Sequence, residues 1–215
     1  MVRKISRVRK TLIVLSVVKI IFVLALFLSL TLWSIPIISL NSNLWSVFQD
    51  RSGVVLNNTA TKSYNDLIID FFTNNTKLNF LNERELNHLE AVRNLITVMS
   101  GVALFSFIYV IGNIAYPSKF SKEQKKFLLN AIQKTSLVVF IITLIFSIIV
   151  LTNFYTTFIY FHKLFFVSNF AFPSNSLLKI LYPDDFFFQL SGVYLLSIMI
   201  TSLIVAVVSR KLKLK

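Results

Sequence analysis

The 215-residue sequence contains no cysteine and few charged residues. Without cysteine the chain has no disulfide framework, no thiolate metal site and no cysteine nucleophile. Charged residues make up only 14% of the sequence, against about 25% in an ordinary globular domain. So few charges cannot cover the surface of a water-soluble protein of this size. Because 55% of the residues are hydrophobic, the composition predicts an integral membrane protein.

Acidic residues are also scarce, since 9 Asp and Glu stand against 22 Lys and Arg and leave a net charge of +13. The basic residues lie in three clusters beside apolar runs: Arg3, Lys4, Arg7, Arg9 and Lys10; Lys119, Lys122, Lys125, Lys126 and Lys134; and Arg210, Lys211, Lys213 and Lys215. This placement is typical of the positive-inside rule. We therefore expect anionic lipid headgroups, and no nucleic acid, as the partner of the excess charge.

Four segments are long and apolar enough for a helix that crosses the bilayer core, which needs about 20 residues. They cover approximately residues 11–40, 95–116, 136–160 and 189–209. Lys19 interrupts the first segment, so either its side chain extends to the interface or residues 11–18 lie along the membrane surface. A cleaved signal peptide is disfavoured, because the apolar stretch is too long and no small-residue cleavage site follows. We predict a mainly α-helical integral membrane protein with four transmembrane helices in a single domain over residues 1–215.

Four crossings place all three basic clusters on one side of the membrane, which the positive-inside rule identifies as the cytoplasmic side. Both termini and the loop from Pro117 to Lys134 are then cytoplasmic. Two segments face outward: an extracytoplasmic cap of approximately residues 41–93, between the first two spans, and a second loop of approximately residues 162–188. Eight of the nine acidic residues fall in the cap and the second loop, and Glu123 is the exception. The sequence thus predicts a multi-pass membrane protein.

The cap contains apolar residues in two short patterns. Trp45, Val47 and Phe48 precede the turn-like Asp50–Gly53, an arrangement compatible with short strands that continue in residues 54–56. Residues from Ser63 onward fit a short amphipathic helix, whose apolar members are Leu67, Ile68, Ile69, Phe71 and Phe72. We expect these apolar side chains to pack against one another rather than to contact a substrate.

Only two histidines occur in the chain, and both fall in the segments that face outward. Asn82 fits the N-cap of a helix, and Glu85, three residues on, completes a capping-box-like pattern. If this helix continues into the second span, His88 lies about 10 Å above the apolar stretch that begins at Leu95. His162 comes directly at the outer end of the third span. We therefore expect the two imidazoles to reach one layer, at the depth of the lipid glycerol and ester groups.

The second loop combines many aromatic residues with a few polar ones. Lys163, Lys179, Asn169 and Asn175 lie among seven phenylalanines, namely Phe165, Phe166, Phe170, Phe172, Phe186, Phe187 and Phe188. Aromatic belts are ordinary at a membrane interface. Polar groups within such a belt are also suited to line a slot for an amphiphilic substrate, and the sequence leaves both interpretations open.

The pattern Glu85-x-x-His88-x-Glu90 places a histidine and two carboxylates on neighbouring turns, as a metal site can. It lacks the second histidine of the His-Glu-x-x-His pattern, and the chain offers only one other histidine and no cysteine. We expect no metal and no cofactor. The spans also contain no Asp, Glu or internal Arg of the kind that marks an ion pathway, which disfavours transport.

Two longer motifs carry the histidines. The first is Leu81-Asn82-Glu83-Arg84-Glu85-x-x-His88-Leu89-Glu90-x-Val92-Arg93, leading into a span; the second is Phe161-His162-x-x-Phe165-Phe166, followed by Leu181-Tyr182-Pro183-x-x-Phe186-Phe187. In this order and spacing they resemble the two signatures of the bacterial lipoprotein intramolecular transacylase family. The resemblance extends over most of the chain. It departs at Ala91, where the family usually has an acidic residue. It also departs in the second loop, where Phe170-Ala171-Phe172 and Asn175-Ser176 stand in place of a tryptophan and an aspartate that the family often has. The resemblance also implies a multi-pass protein of the bacterial cell membrane.

The resemblance implies an acyl transfer within a lipoprotein whose N-terminal cysteine carries a diacylglyceryl group. The sn-2 acyl chain moves to the α-amine of that cysteine and leaves a lyso-form lipoprotein. An α-amine with a pKa of about 8 is mostly protonated at neutral pH, and histidine titrates in a range suited to accept its proton. On this basis His88 is expected to take the amine proton and His162 to polarise or protonate the ester, with the reverse assignment left open.

The remaining expected site residues follow from the same motifs. Glu85, Glu90, Arg84 and Asn169 are expected to support the site, with Glu85 or Glu90 orienting His88, while Phe165, Phe166 and Lys163 are expected to bind substrate. The expected partners are diacylglyceryl-modified lipoproteins and membrane lipids. Two other functions stay open: an interfacial lipid or lipoprotein ester hydrolase, which would release free fatty acid, and a non-enzymatic membrane accessory protein.

Overall fold

The computed structural model describes residues 2–54, 58–115, 122–166 and 170–213, with the backbone alone for residues 2–16 and 58. Within these ranges the chain forms nine α-helices and no strand. Their bounds are α1 (Val2–Leu32), α2 (Ile35–Ser39), α3 (Ser42–Arg51), α4 (Asn58–Asn74), α5 (Glu83–Ala115), α6 (Lys122–Thr152), α7 (Phe154–Phe165), α8 (Leu177–Leu181) and α9 (Asp184–Lys213). The fold is therefore mainly α-helical, as the sequence predicts.

Four helical segments are long and apolar enough to cross a membrane: Val17–Ser39, Glu83–Ala115, Lys122–Thr152 and Asp184–Lys213. In their most apolar windows only 28%, 17%, 28% and 11% of the residues are buried inside the molecule. Most apolar side chains of these helices consequently point outward, which suits a surrounding of lipid tails and would be unfavourable in water. The number of predicted spans is confirmed.

The helix that carries His162 is separate from the third span. α6 ends at Thr152, and Asn153 leaves the helical conformation with φ −143° and ψ 51° before α7 begins. Asparagine competes for backbone hydrogen bonds and is a poor residue for a helix interior, which explains a break at this position. The backbone carbonyl of Asn153 then accepts a hydrogen bond from the Thr157 amide at 3.1 Å, so the next helix starts at once. His162 lies in the last turn of α7.

The described residues group into two compact units. The first consists of Met1–Trp33, Gly101–Ile142 and Ile198–Lys215, and Phe22 and Val139 are buried at its core. α1 continues as one helix through residues 11–18. The Lys19 ammonium lies 4.8 Å from the centroid of the Phe127 ring, a cation–π contact within this unit. The single domain over residues 1–215 stays a prediction.

The second unit consists of Ser34–Ser100 and Thr143–Ser197 and contains the cap, α7 and α8. Its core joins buried residues of the cap to residues of the second loop, namely Trp45, Phe48, Ile68, Phe71, Leu78, Leu89, Leu178, Leu181, Tyr182 and Phe186. The Trp45 ring stands edge-on to Tyr182 and Phe186, at centroid distances of 5.6 and 6.2 Å. Most apolar residues of the cap therefore pack, as predicted, although Val47 and Leu67 are exposed.

The strands suggested for the cap are wrong in residues 45–48, which belong to α3. The Asn41 side chain accepts a hydrogen bond from the Leu44 amide at 2.9 Å and caps this helix. Trp45 and Phe48 are buried while Val47 is exposed, and a three-residue spacing of buried positions is helical rather than alternating. The helix ends in a turn at Gly53, which has a φ of +71°. Residues 55–57 lie outside the described part of the chain.

The predicted amphipathic helix of the cap is confirmed as α4, which is longer than expected and ends where Asn75 adopts a φ of +59°. Its Asn65 is fully buried and exchanges hydrogen bonds with Gln49 of α3, at 2.6 and 3.1 Å. Gln49 also donates to the carbonyl of Leu181 at 2.9 Å, and the Tyr182 hydroxyl donates to Asn65 Oδ1 at 2.8 Å. This buried network joins both cap helices to the C-terminal end of α8.

Candidate active site

The two histidines of the chain lie next to each other, both in the second unit. His88 is in the second turn of α5 and His162 is in the last turn of α7. Their ring centroids are 6.0 Å apart, and the ring planes differ by 18°. The two imidazoles are therefore close enough to lie in one layer, and the depth of that layer in the membrane stays a prediction.

The start of α5 is fixed by a reciprocal pair of hydrogen bonds. The Glu85 amide donates to Asn82 Oδ1 at 2.9 Å, and the Asn82 amide donates to Glu85 Oε2 at 3.2 Å. This is the capping box that the sequence predicts, and it satisfies two backbone donors that would otherwise lack a partner at the helix end. His88 lies one turn after Glu85, so the capping box fixes the backbone near the position from which the His88 side chain extends.

His162 has one ring nitrogen engaged. Its Nδ1 lies 2.8 Å from the backbone carbonyl oxygen of Phe158, four residues earlier in α7. A carbonyl oxygen can only accept, so Nδ1 carries the proton and Nε2 keeps its lone pair. The side chain is 6% exposed, and this burial lowers the pKa of His162 from 6.5; the Phe158 hydrogen bond and the charge of Asp184 act in the opposite direction. A neutral ring with a basic Nε2 is the resulting state near pH 7.

His88 is only half-buried, and its ring makes no hydrogen bond with any residue in the described ranges. Its contacts are aromatic. The ring centroid lies 4.9 Å from that of Phe166 and 5.3 Å from that of Phe172. Neither ring nitrogen of His88 therefore has a hydrogen bond from the described residues that would fix a tautomer.

Phenylalanines surround both rings. Beside Phe166 and Phe172 at His88, the His162 ring has Phe158, Phe166 and Phe170 at centroid distances of 4.1, 5.3 and 5.2 Å. Three of these side chains come from the second loop, directly after α7. The loop therefore forms an aromatic wall around the two imidazoles, defined here as Phe166, Phe170 and Phe172.

Glu85 binds groups other than the imidazole of His88, and Glu90 points away from the buried part of the unit. Glu85 is 2% exposed, and its second carboxylate oxygen, Oε1, accepts a hydrogen bond from the Leu178 amide at 3.2 Å. Glu90 is exposed. Neither carboxylate makes a hydrogen bond to His88 among the residues the structure describes. Glu85 thus binds backbone amides at the start of α5 and of α8.

Arg84 contacts the second loop. Its Nη2 donates to the carbonyl oxygen of Ala171 at 2.6 Å, and its guanidinium lies 5.4 Å from the centroid of the Phe172 ring. The other predicted site residues differ in position. Phe165 and Lys163 are exposed, Lys163 lies 5.9 Å from the Tyr160 ring, and Phe166 is buried against both histidines. Asn169 lies outside the described residues.

Sequence reasoning missed three partners of the site: the Phe158 carbonyl, the Leu178 amide and the Phe172 ring as a neighbour of His88. Phe158 could have been found, because a residue four positions before a histidine in a helix places its carbonyl near the imidazole. Leu178 is 93 residues from Glu85, and no local pattern indicates such a contact. Only the fold brings these two segments together.

The arrangement is suited to move protons near a lipid ester. Two imidazoles lie within 6.0 Å, one of them with a defined basic nitrogen, and aromatic rings limit access of water. A general base next to a second proton donor or acceptor is the minimum that an acyl transfer between an amine and an ester needs.

Comparison with known proteins places the chain in a family. The model of the family described as lipoprotein intramolecular transacylase Lit matches residues 13–187. No curated protein matches the sequence. An in meso structure of the membrane integral lipoprotein intramolecular transacylase Lit from Bacillus cereus is 17% identical to this chain and has a TM-score of 0.77. The match covers 92% of this chain and 94% of that chain. Two histidine variants of the Bacillus cereus protein, to arginine and to alanine, give TM-scores of 0.74 and 0.72.

The two variant structures are similar to this chain over nearly its whole length. The arginine variant is 16% identical, with 99% of this chain and 96% of that chain covered, and the alanine variant is 17% identical, with 91% and 92% covered. These likenesses confirm the membrane-integral fold. Since the family model spans most of the sequence and both histidine motifs, the chain belongs to the lipoprotein intramolecular transacylase family and is an acyltransferase.

Proposed function

We propose that His88 and His162 carry out the acyl transfer of this family on a diacylglyceryl lipoprotein, moving the sn-2 acyl chain to the α-amine of the N-terminal cysteine. The observation that carries the proposal is the distance of 6.0 Å between the two imidazole centroids. These are the only histidines in the sequence, and they lie 74 positions apart, on two different helices, α5 and α7. A single reacting centre can lie within hydrogen-bond reach of both.

The substrate supplies both the nucleophile and the ester. The α-amine loses a proton, its nitrogen attacks the ester carbonyl carbon, and the bond between that carbon and the sn-2 glyceryl oxygen breaks. The released oxygen takes up one proton, so an ester and an amine become an amide and an alcohol without net use of water. The protein has to move protons and hold the two groups together, which by itself can account for several kcal/mol of the barrier.

His162 is the better candidate for the base. With Nδ1–H bound to the Phe158 carbonyl, its Nε2 lone pair is the acceptor, and the lowered pKa keeps the ring neutral near pH 7. Taking a proton from the amine creates an imidazolium, which the charge of Asp184 favours. This assignment reverses the one suggested by the motifs alone, in which His88 takes the amine proton.

His88 then acts at the ester. Its ring nitrogens have no hydrogen bond to protein among the described residues, so they are available to donate to the carbonyl oxygen or the leaving glyceryl oxygen. Proton transfer from a donor placed at the leaving oxygen avoids release of an alkoxide. The two histidines thus have different environments suited to different roles.

The ring geometry limits how the substrate binds. A group between two parallel rings needs about 3.5 Å to each face, or about 7 Å in all. The centroids are closer than that, at 6.0 Å. The ester and the amine must therefore approach the edges of the rings, where the nitrogens are, and we propose that Phe165, Phe166 and Lys163 line this approach for the acyl chains and the glyceryl group.

The aromatic wall favours transfer over hydrolysis. Phe166, Phe170 and Phe172 surround the imidazoles with apolar surface, which lowers the local concentration of water at the carbonyl. An amine that is part of the same molecule competes well under these conditions. This supports an intramolecular transferase rather than an ester hydrolase that uses the same residues.

The proposal also places the site on the outer face of the cell membrane, with both termini in the cytoplasm. The three basic clusters support this orientation through the positive-inside rule. The proposed partners are diacylglyceryl-modified lipoproteins in the outer leaflet of that membrane, and no nucleic acid.

The test uses the purified full chain and a synthetic diacylglyceryl lipopeptide, with products analysed by mass spectrometry. His88→Ala and His162→Ala are each expected to lower the rate of lyso-form production by about 100-fold or more. Lys62 is exposed on α4, so Lys62→Ala serves as the control and should keep the wild-type rate. Lyso-form production at the wild-type rate by either histidine variant contradicts the proposal, and free fatty acid as the main product supports a hydrolase instead.

A further inference from the structure

Two consecutive residues in the first turn of α5 bind two separate points of the second loop. Arg84 binds the loop at Ala171, where its Nη2 donates to the backbone carbonyl at 2.6 Å. Glu85 binds it at Leu178, whose amide donates to Oε1 at 3.2 Å. Both contacts are to backbone atoms, so they fix the path of the loop whatever its side chains are.

The Glu85 contact is deeply buried. A carboxylate that is 2% exposed needs hydrogen-bond donors, because burial of an unpaired charge is costly. Its donors are the Asn82 amide at the start of α5 and the Leu178 amide in the first turn of α8. The other end of α8 is held at the Leu181 carbonyl by Gln49 of the cap. α8 is thus fixed at both ends.

Arg84 and His88 both contact the ring of Phe172. The guanidinium lies 5.4 Å from the centroid of Phe172, and that ring lies 5.3 Å from the ring of His88. Phe172 therefore lies between a cation and an imidazole, both of which are carried by α5. Movement of Arg84 would release Phe172, which is one of the two phenylalanine rings that contact His88.

We infer that Arg84 and Glu85 are positioning residues for the reaction, which hold the second loop on α5 so that the aromatic wall keeps the His88 ring in place. Neither residue has to touch the substrate. This inference rests on the proposed function of His88, and it extends that function to the first turn of the helix that carries it.

The experiment compares two arginines of the same helix. Arg84→Met removes the contacts to Ala171 and Phe172, and we expect it to lower kcat by about 10- to 100-fold with a smaller change in KM. Arg84→Lys can still donate to the carbonyl but lacks the flat guanidinium, so it should restore part of kcat. Arg93→Met is the matched control. Arg93 makes the same two kinds of contact with the cap, because it donates to the side-chain oxygen of Asn75 and its guanidinium lies over the Phe71 ring. Arg93→Met should keep kcat within about 2-fold of wild type.

A second comparison tests the route through Phe172. If Arg84 acts by holding Phe172, the double variant Arg84→Met, Phe172→Leu should be no slower than the slower of the two single variants. Fully additive losses, a wild-type kcat for Arg84→Met, or an equal loss in Arg93→Met would each overturn the inference. Glu85→Gln provides an independent variant of similar shape. It should lower kcat as well, because glutamine has one acceptor oxygen where Glu85 uses two, so either the Asn82 amide or the Leu178 amide loses its acceptor.

These outcomes separate the inference from the proposed function. If His88→Ala and His162→Ala are inactive while Arg84→Met behaves as wild type, only the positioning role fails. If the histidine variants stay active, the proposed function fails regardless of the arginine results. Thermal unfolding of each variant identifies losses of activity that arise from loss of the folded state.

Discussion

His88 and His162 differ in what their ring nitrogens contact, and this difference decides what each can do. The Nδ1–H of His162 is bound to the Phe158 carbonyl, which leaves Nε2 as a base of fixed direction. The ring of His88 has aromatic neighbours, Phe166 and Phe172, and makes no hydrogen bond with the described residues. The motifs identify both histidines, whereas the roles proposed for them rest on the Phe158 carbonyl, one turn before His162.

The pH dependence of the reaction should follow from the charges around His162. Burial lowers its pKa below 6.5, so the neutral ring persists as pH falls through 6.5 and activity is lost only at lower pH. Asp184 raises this pKa and is itself paired with Lys179 at 2.5 Å. Asp184→Asn should therefore move the acid limb of the kcat/KM profile to lower pH, and Lys179→Met should move it to higher pH.

Shifts of the acid limb in opposite directions in Asp184→Asn and Lys179→Met are the informative result of this measurement. An ion pair that only holds α8 to α9 would change the rate in both variants without moving the acid limb. The other charged or titratable groups near His162 are His88 on α5 and Lys163 on α7, which are unchanged in both variants. A shift in the same direction in both variants would contradict the assignment of His162 as the titrating base.

At the scale of elements, short polar contacts at helix ends determine where the site residues lie. The capping box of Asn82 and Glu85 starts α5 one turn before His88, and the break at Asn153 gives His162 a helix of its own. The capping box was predictable because its spacing is local. The course of the second loop was not, since it depends on contacts such as that between Glu85 and Leu178. The break at Asn153 has a local cause, because asparagine disfavours a helix interior, but the length of the apolar run concealed it.

Removal of the N-cap residue of α5 should distinguish a loss of stability from a loss of the correct position of His88. Asn82→Ala removes the acceptor for the Glu85 amide and should lower the free energy of unfolding by about 1 kcal/mol. The start of α5 then frays close to His88, so the rate of acyl transfer should fall several-fold. Asn41→Ala removes the equivalent cap of α3, with a similar cost in stability, and should leave the rate near wild type. Equal losses of rate in both variants would show that the cap of α5 has no special role.

At the scale of the whole molecule, the basic clusters support the proposed orientation in the membrane through the positive-inside rule. The four apolar helices leave most residues of their apolar windows unburied, and four crossings put all three clusters on one side. In the proposed orientation the histidines would have access to lipoproteins anchored in the outer leaflet. An inverted protein would have its site on the side where mature lipoproteins are absent.

The absence of native cysteine allows a direct test of orientation. Asp66→Cys and Lys125→Cys each introduce one thiol at an exposed position, in the cap and near the start of α6. In intact cells a membrane-impermeant maleimide should label the Asp66→Cys variant, and the Lys125→Cys variant should react only after the membrane is permeabilised. The reverse pattern would contradict the proposed orientation, and activity of both variants would show that the labelled proteins are folded.

The sequence by itself determined the class of protein, the number of spans, the capping box and the pair of histidines, because composition, apolar run length and residue spacing are local properties. It also identified the family through two motifs of fixed order. The tertiary structure decided that residues 45–48 are helical, that Glu85 binds Leu178 and not His88, and that Phe172 lies between Arg84 and His88. These outcomes depend on segments distant in the chain, whose packing and buried hydrogen bonds are settled only when the fold brings them together.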